Sequence, residues 1–303
     1  MTVHLAARSI SRPALGTLRQ APFAARVLAA FEQACDLVTP NGQVIAVVTP
    51  QIGDGPLSIV VEARAGVLGT VERNAPVELK GDALQFGHLE IALGDTLVWE
   101  PCPNWSALRT RQQEIITNLP ALRAIALGYA PADSLLAALD TASYVIPTCG
   151  GALVDRPGGC KADRDPDQGA RSCEAKNLRS GLEGDVTHLR EAAAYLAGRG
   201  IGLTPAGDDF LAGVMLWTWL AHPTPEPVCH TLAEVAAPRT TTLSAALLRA
   251  AARGECDANW HRLFAALSSD GTAQIALAVQ QIVARGATSG ADMLAGFLWP
   301  AIG

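Results

Sequence analysis

The sequence predicts an α+β protein in which a β-rich N-terminal domain, built as a small barrel or sandwich, precedes a mainly helical domain. Through the first hundred residues, short β-branched runs follow one another and glycines separate them at short intervals. From Asp185 onward, apolar residues recur at helical spacing and glycines end the apolar stretches. Since the strands do not alternate with helices, a doubly wound parallel sheet is disfavoured.

The strand predictions in the N-terminal domain depend on turn signals. Asn41-Gly42 is a hairpin-turn signal directly before the apolar run Val44–Val48. Val67–Val71 is expected to be another short strand of the same kind. The segment before Glu32 contains arginines but no acidic residue, and it is interpreted as a solvated basic segment rather than a transit peptide.

The boundary between the two domains is predicted where the composition changes. Pro101-Cys102-Pro103 ends the series of short strands, so residues 1–102 form the β-rich domain and residues 103–303 the mainly helical domain. Within the latter, residues 155–181 are rich in Gly, Asp, Arg and Lys and poor in apolar residues. They are predicted to form a surface loop.

Composition narrows the choice of partners and compartment. The net charge of −6 includes no basic excess, which disfavours a nucleic-acid partner. The longest apolar run, Phe210–Ala221, is too short to span a bilayer, so no membrane partner is expected. The seven cysteines are odd in number and widely spaced, which indicates a reducing, cytoplasmic setting. Cys160 and Cys173 could pair or bind a metal, but no neighbouring ligand supports them.

A short repeat singles out two helix starts in the helical domain. Residues 207–213 read GDDFLAG and residues 290–296 read GADMLAG, with five of seven positions identical. Each copy follows a predicted helix, a terminating glycine and a threonine, Thr204 in the first and Thr288 in the second. We therefore predict two copies of one helix-turn-helix unit, packed about a pseudo-two-fold axis.

These helix starts have the composition of an anion site. A helix N-terminus presents free N–H groups and a partial positive charge, glycines allow close approach, and hydroxyls add donors. The run from Arg239 to Ser244 combines an arginine with hydroxyls at another helix start. The residues predicted to bind substrate are Thr204, Gly207, Arg239, Thr241, Ser244, Thr288, Ser289 and Asp292.

Asp208 and Asp209 are predicted to be catalytic, but they complicate a plain anion site. Carboxylates in a first helical turn favour the helix dipole yet repel a bound anion. They could instead hold a divalent cation such as Mg²⁺ that bridges to a phosphate, or orient the NH₂ of a carbamoyl group. Ordinary helix capping is the remaining alternative. No cofactor is required by the sequence.

A family resemblance rests on three motifs: GLTPAGDDFLAG at residues 202–213, RTTTLS at 239–244 and GATSGADMLAG at 286–296. They resemble a bacterial family of formerly uncharacterised proteins, one branch of which is the third subunit of the oxamate carbamoyltransferase complex of allantoin degradation. The first motif, called the signature below, is specific. The charged loop between Cys160 and Cys173 departs from the family and leaves the substrate open.

The resemblance implies a transferase subunit of purine (ureide) nitrogen catabolism. The family's complex converts oxalurate and phosphate into oxamate and carbamoyl phosphate, and it needs two other subunits. This implies protein partners and a bound small anion: phosphate, carbamoyl phosphate or an oxalurate-like compound. Two alternatives stay open: a non-catalytic assembly subunit of such a complex, and a stand-alone hydrolase of a small amide or acyl anion.

Overall fold

The structure is a computed structural model that describes residues 2–64, 66–139, 175–269 and 271–302. The chain divides into two compact units. The first consists of Met1–Pro103 and Glu255–Ala258, and the second of Asn104–Gly254 and Asn259–Gly303. The main boundary lies one residue from the predicted one, whereas the return of Glu255–Ala258 to the first unit was not predicted.

The first unit is a closed β-barrel, which confirms the predicted fold class. Within residues 3–64 and 66–99, eight strands form a ring and a ninth pairs with its first strand. Around the ring the order is β1-β5-β4-β3-β2-β6-β7-β8, and β8 pairs again with β1. The strands are β1 (Val3–Ser11), β2 (Ala24–Ala30), β3 (Ala34–Val38), β4 (Val44–Val48), β5 (Ser58–Val61), β6 (Pro76–Lys80), β7 (Ala83–Phe86), β8 (Leu89–Ala92) and β9 (Leu97–Trp99).

The hairpin signal is confirmed and one strand prediction is wrong. Asn41-Gly42 joins the antiparallel strands β3 and β4, and Gly42 has a φ of 80°, which only glycine adopts without strain. Residues Leu68–Thr70, expected to be extended, form a 3-10 turn instead. Leu68 is fully buried in the core of the barrel unit. The apolar residues that predicted a strand here are therefore explained by burial.

The basic N-terminal segment is ordered structure and not merely a solvated stretch. β1 pairs with three strands: antiparallel with β5, and parallel with β8 and then β9 along its length. Helix α1 (Arg12–Leu18) follows, capped by the Ser11 hydroxyl, which accepts from the Ala14 N–H. Glu255–Ala258 attach to this unit because Cys256 N–H donates to Pro101 and Ala258 N–H donates to Asp54, both at 3.0 Å.

The second unit is helical. Residues 175–181, predicted to be loop, are helical instead, and Leu178 is fully buried; residues 155–174 of that loop, with Cys160 and Cys173, lie outside the described residues. Apart from α10, which begins in the first unit, the following helices belong to the second unit. They are α2 (Trp105–Thr110), α3 (Gln112–Tyr129), α4 (Leu135–Ala138), α5 (175–182), α6 (Val186–Leu196), α7 (Ala206–Ala221), α8 (Pro225–Ala236), α9 (Thr242–Ala252), α10 (Ala258–Leu267), α11 (Thr272–Val283) and α12 (Ser289–Leu298).

The two repeat copies form the central helix pair of this unit, α7 against α12. A Cβ at Gly213 of α7 would overlap the carbonyl oxygen of Met293, and a Cβ at Gly296 of α12 would overlap that of Phe210. Gly213 aligns with Gly296 and Phe210 with Met293 in the repeat, so the contact is reciprocal, as a pseudo-two-fold axis requires. None of the helices in the described part of the chain is long and apolar enough to cross a membrane.

Candidate functional site

The two repeated turns meet through their hydroxyl groups. The Thr204 and Ser289 hydroxyl oxygens are 3.1 Å apart, and Ser289 also donates to Asp209 Oδ2 at 2.6 Å. Thr204 and Ser289 are partly exposed, whereas Asp209 is buried. The structure therefore brings the starts of α7 and α12 together in one polar group, called the hydroxyl–carboxyl cluster below: Thr204, Asp209 and Ser289.

Asp209 sits in surroundings that favour its neutral form. Burial raises the pKa of Asp209 well above its ordinary value. The hydrogen bond from Ser289 acts in the opposite direction, the neighbouring carboxyls of Asp292 and Asp208 raise the pKa further, and the Thr204 hydroxyl lowers it. The balance is a pKa above the ordinary value of an aspartate, with burial as the largest cause.

Asp292, the counterpart of Asp209 in the second copy, lies deeper. It is completely buried, and its Oδ1 accepts from the Leu135 N–H at 2.6 Å. Its Oδ2 has no hydrogen-bond partner among the described residues. Burial raises the pKa of Asp292 to about 6, while the Leu135 N–H and the Thr288 hydroxyl act to lower it.

Asp208 has three hydrogen-bond donors and almost no exposure. Its Oδ1 accepts from the Gly198 N–H at 2.9 Å, and its Oδ2 accepts from the Ser244 hydroxyl at 2.8 Å and from the Thr240 hydroxyl. Asp208 is 1% exposed. These bonds tie the end of α6 and the start of α9 to the first turn of α7. The acceptor positions of Asp208 already face protein donors, which leaves them less available to a substrate. A catalytic role for Asp208 stays a prediction.

Two further predicted residues also hold the backbone in place. Thr241 caps α9 by accepting from the Ser244 N–H, and its hydroxyl donates to the Leu203 carbonyl. The exposed Arg239 folds its guanidinium back onto the Val235 carbonyl at the end of α8. Thr240 was not among the site residues predicted from the sequence. It lies in the run from Arg239 to Ser244, whose hydroxyl side chains could have indicated it.

The backbone N–H groups at the start of α7 are already used within the chain. Gly207 N–H donates to the Arg199 carbonyl at 2.8 Å, and the Asp208 and Asp209 N–H groups donate to the Pro205 carbonyl at 2.9 and 3.2 Å. Gly207 is required for a different reason, since a Cβ there would overlap the Leu196 carbonyl oxygen. The polar groups that an approaching ligand meets first are thus side-chain hydroxyls.

A divalent cation at the two turns stays a prediction. Across residues 2–64, 66–139, 175–269 and 271–302, no group of three His, Cys, Asp or Glu residues is arranged to hold a metal ion. A cation on Asp208 would have to displace the N–H and O–H groups that point at its oxygens.

A separate pocket lies in the same unit, near the C-terminal end of α7. Its volume is about 220 Å³, and its lining includes Arg179, Glu183, Trp217, His222 and Pro300. The His222 Nδ1 accepts from the Thr224 N–H, which leaves Nε2 to carry the proton of the neutral ring. None of the residues predicted from the sequence to bind substrate lines this pocket.

A barrel unit and a helical unit centred on a duplicated Gly-x-Asp helix start together define an α+β class of protein. The model of a family described as oxamate carbamoyltransferase subunit AllH matches residues 196–300, and that of the AllH family N-terminal domain matches residues 6–98. These matches cover most of the chain, which belongs to the AllH family, so the resemblance predicted from the signature is confirmed. No solved structure matches the chain.

Proposed function

We propose that this chain binds a small anionic or carbamoyl substrate at the hydroxyl–carboxyl cluster, as a subunit of a cytoplasmic oxamate carbamoyltransferase complex in allantoin (purine) nitrogen catabolism. The reaction would convert oxalurate and phosphate into oxamate and carbamoyl phosphate. The observation that carries the proposal is the 3.1 Å approach of the Thr204 and Ser289 hydroxyls beside Asp209. It joins both repeated turns in one partly exposed polar group.

The raised pKa of Asp209 weakens the main objection to an anion at this place, because it favours the neutral form of the carboxyl group. An ionised carboxylate in the turn would repel phosphate or oxalurate, whereas a neutral Asp209 adds no negative charge. The Thr204 and Ser289 hydroxyls can each donate to an oxyanion or accept from a carbamoyl NH₂. The cluster can therefore recognise both ends of a carbamoylated acid without a metal ion bound there.

The test compares two serine-to-alanine variants in the reconstituted complex. Ser289→Ala removes a hydroxyl of the cluster, and Ser269→Ala removes an exposed hydroxyl that only contacts its own helix end. We expect Ser289→Ala to lower kcat/KM for oxalurate phosphorolysis by about 10- to 100-fold, the worth of a hydrogen bond to a charged group. Ser269→Ala should leave it unchanged. Equal activity of both variants would contradict the proposal.

A second candidate, a non-catalytic assembly subunit, is favoured by the packing of the signature. Gly207 and Gly213 are needed for close helix contacts, and the acceptor positions of Asp208 are filled by protein donors. Under this reading, phosphate, carbamoyl phosphate and oxalurate would give no shift in the Tm of the purified chain, while the chain would still bind its partner subunits. A shift that Ser289→Ala abolishes would favour the substrate-binding proposal instead.

The third candidate, a stand-alone hydrolase, requires activity from the isolated chain. Among the described residues, Thr70 Oγ1 lies 3.1 Å from His88 Nε2 but donates to the Val67 carbonyl, and Ser180 Oγ lies 3.4 Å from His188 Nδ1. The same Nδ1 faces Asp185 at 2.9 Å. In a catalytic triad the serine hydroxyl and the orienting carboxylate contact opposite ring nitrogens of the histidine base. Ser180 and Asp185 share one nitrogen, so this arrangement argues against a triad. Hydrolysis of oxalurate by the chain alone would revive this candidate.

A further inference from the structure

We propose that the pocket near the C-terminal end of α7, called the α7 pocket below, binds a neutral, single-ring heterocycle whose ring carries both C=O and N–H groups, as a pyrimidine base does. All of its lining residues belong to the helical unit. None of the residues of the hydroxyl–carboxyl cluster lines it, and from Asp209 to Trp217 the helix rises about 12 Å along its axis. The proposal therefore does not rest on the substrate proposed above.

The size and the walls of the α7 pocket fit one flat ring. Its volume of about 220 Å³ is smaller than the pockets that hold drug-sized ligands and larger than a cavity of ~150 Å³ that holds benzene. Leu182, Ala221 and Pro300 supply apolar wall, and Trp217 supplies an aromatic one. The Trp217 ring is held edge-to-face against the buried Phe297, with ring centroids 5.6 Å apart. Such walls favour a planar ring.

Three lining side chains offer polar groups to a ligand. Among the residues that the structure describes, none forms a hydrogen bond with the Trp217 indole N–H, with Nε2 of His222 or with the Glu183 carboxylate. Because His222 Nδ1 accepts from the Thr224 N–H at 3.1 Å, the neutral ring carries its proton on Nε2. The pocket thus offers two N–H donors and one carboxylate acceptor. A ring with C=O acceptors and an N–H donor complements this set.

The charges of the lining favour a neutral ligand over an anion. Arg179 and Glu183 carry opposite charges and lie four residues apart, and the Glu183 N–H donates to the Arg179 carbonyl at 3.0 Å. The Arg179 guanidinium lies over the Trp299 ring, 4.7 Å from its centroid. A carboxylate drawn to Arg179 would therefore also meet the negative charge of Glu183. A neutral ring avoids that repulsion and can still donate its N–H to Glu183.

The first experiment measures binding of three probes to the purified full chain by isothermal titration calorimetry. Uracil has both C=O and N–H groups, N,N′-dimethyluracil keeps the C=O groups but has no N–H, and benzoate is a flat ring with a negative charge. We expect uracil to bind with a Kd on the order of 0.1–1 mM, which is reasonable for so small a ligand. The other two probes should bind at least about tenfold more weakly.

The second experiment locates the bound uracil with matched variants. Glu183→Ala removes the acceptor and should raise Kd by about fivefold to tenfold, and Trp217→Phe keeps an aromatic ring but removes a donor and should raise it by roughly threefold to tenfold. The matched control for the first is Glu226→Ala, which removes an exposed carboxylate on α8 that does not line the pocket. Kd for uracil should change less than twofold in this control.

Three outcomes would overturn the proposal. They are no detectable binding of uracil at 10 times the upper expected Kd, binding of benzoate as tight as that of uracil, and a Kd that Glu183→Ala and Trp217→Phe leave at the wild-type value. Failure of the substrate proposal is separable. Ser289→Ala should leave Kd for uracil within twofold, whether or not it lowers oxalurate phosphorolysis, because Ser289 does not line the pocket.

Discussion

The two repeated helix starts share a backbone frame but differ in what their acidic side chains contact. In both, the first glycine packs on the end of the preceding helix, Gly207 against Leu196 and Gly290 against Ile282. In the first copy, Asp208 has three donors and ties a loop in place; in the second, alanine stands at the equivalent position 291.

It follows from this difference that the main role of the repeated sequence is helix packing. Of the glycines shared by both copies, Gly213 and Gly296 bring α7 and α12 together, and Gly207 and Gly290 pack each helix start on the helix before it. The positions that differ support polar contacts and the exposed loop of the first copy. Distinct chemistry is therefore expected at the α6–α7 turn, and mainly support at the α11–α12 turn.

The largest expected effect tests the close packing of α7 against α12, in which both copies of the repeat take part. Gly213→Ala places a methyl group on the Met293 carbonyl oxygen, so we expect the free energy of unfolding to fall by about 3 kcal/mol or more. The matched control is Gly128→Ala in α3, where nothing lies within 4 Å of an added Cβ. It should be stabilising by roughly 0.5–1 kcal/mol, the helix propensity difference.

Urea denaturation of both variants measures this contrast. Gly296→Ala should behave like Gly213→Ala, because the contact is reciprocal. If Gly213→Ala lost less stability than the ordinary cost of a surface substitution, the two helices could separate freely. The repeat would then not depend on close packing of α7 against α12, and the comparison above would fail.

Much of the fold could be predicted because its signals are local. The Asn41-Gly42 hairpin and the glycine stops each act within a few residues, and the structure bears them out. β1 was missed because its first half alternates between partly and fully exposed residues while its arginines suggested solvent. Its place in the barrel depends on pairing with β5 and β8, which no local pattern reports.

The site was only partly predictable for the same reason. The residue types in both turns indicated a polar pair of helix starts, and the 3.1 Å contact of Thr204 with Ser289 brings them together. The use of the Asp208 oxygens by Gly198, Thr240 and Ser244 was not foreseeable. Hydrogen bonds between residues far apart in the chain depend on tertiary packing, which residue spacing does not encode.

The next effect is the pH dependence that Asp292, the buried acid of the second turn, gives to stability. The pKa of Asp292 is raised to about 6, so the folded state binds its proton more tightly than the unfolded state does. Its contribution to stability is fully present below about pH 4 and is lost as pH rises through about 6. Between pH 4 and 7.5, wild type should lose on the order of 2–3 kcal/mol more than Asp292→Asn does.

Chemical denaturation at several pH values measures this slope. Asp185→Asn is a control of opposite sign, because backbone hydrogen bonding from His188 lowers the pKa of Asp185 and its contribution grows with pH. Parallel pH profiles for wild type and Asp292→Asn would contradict the prediction. They would mean that Asp292 ionises as freely as a surface carboxyl despite its burial.

The smallest effect concerns Arg239, the exposed cation before α9. Its guanidinium caps the end of α8 through the Val235 carbonyl, so Arg239→Ala should lower the free energy of unfolding by roughly 0.3–1 kcal/mol. Arg190→Ala on α6, which loses a similarly exposed cation with a 3.7 Å ion pair, is the control. Both variants should leave KM for phosphate and oxalurate within about twofold.

A selective rise in KM on Arg239→Ala would show that Arg239 binds substrate and does not only support the helix end. The sequence predicts Arg239 as an anion-binding residue, and the guanidinium retains N–H donors beyond the one directed at Val235. A tenfold rise that Arg239→Lys partly restores would mean that substrate draws the side chain off the helix end. The first turn would then hold its anion by charge as well as by the Thr204 and Ser289 hydroxyls, and the second turn would have no equivalent.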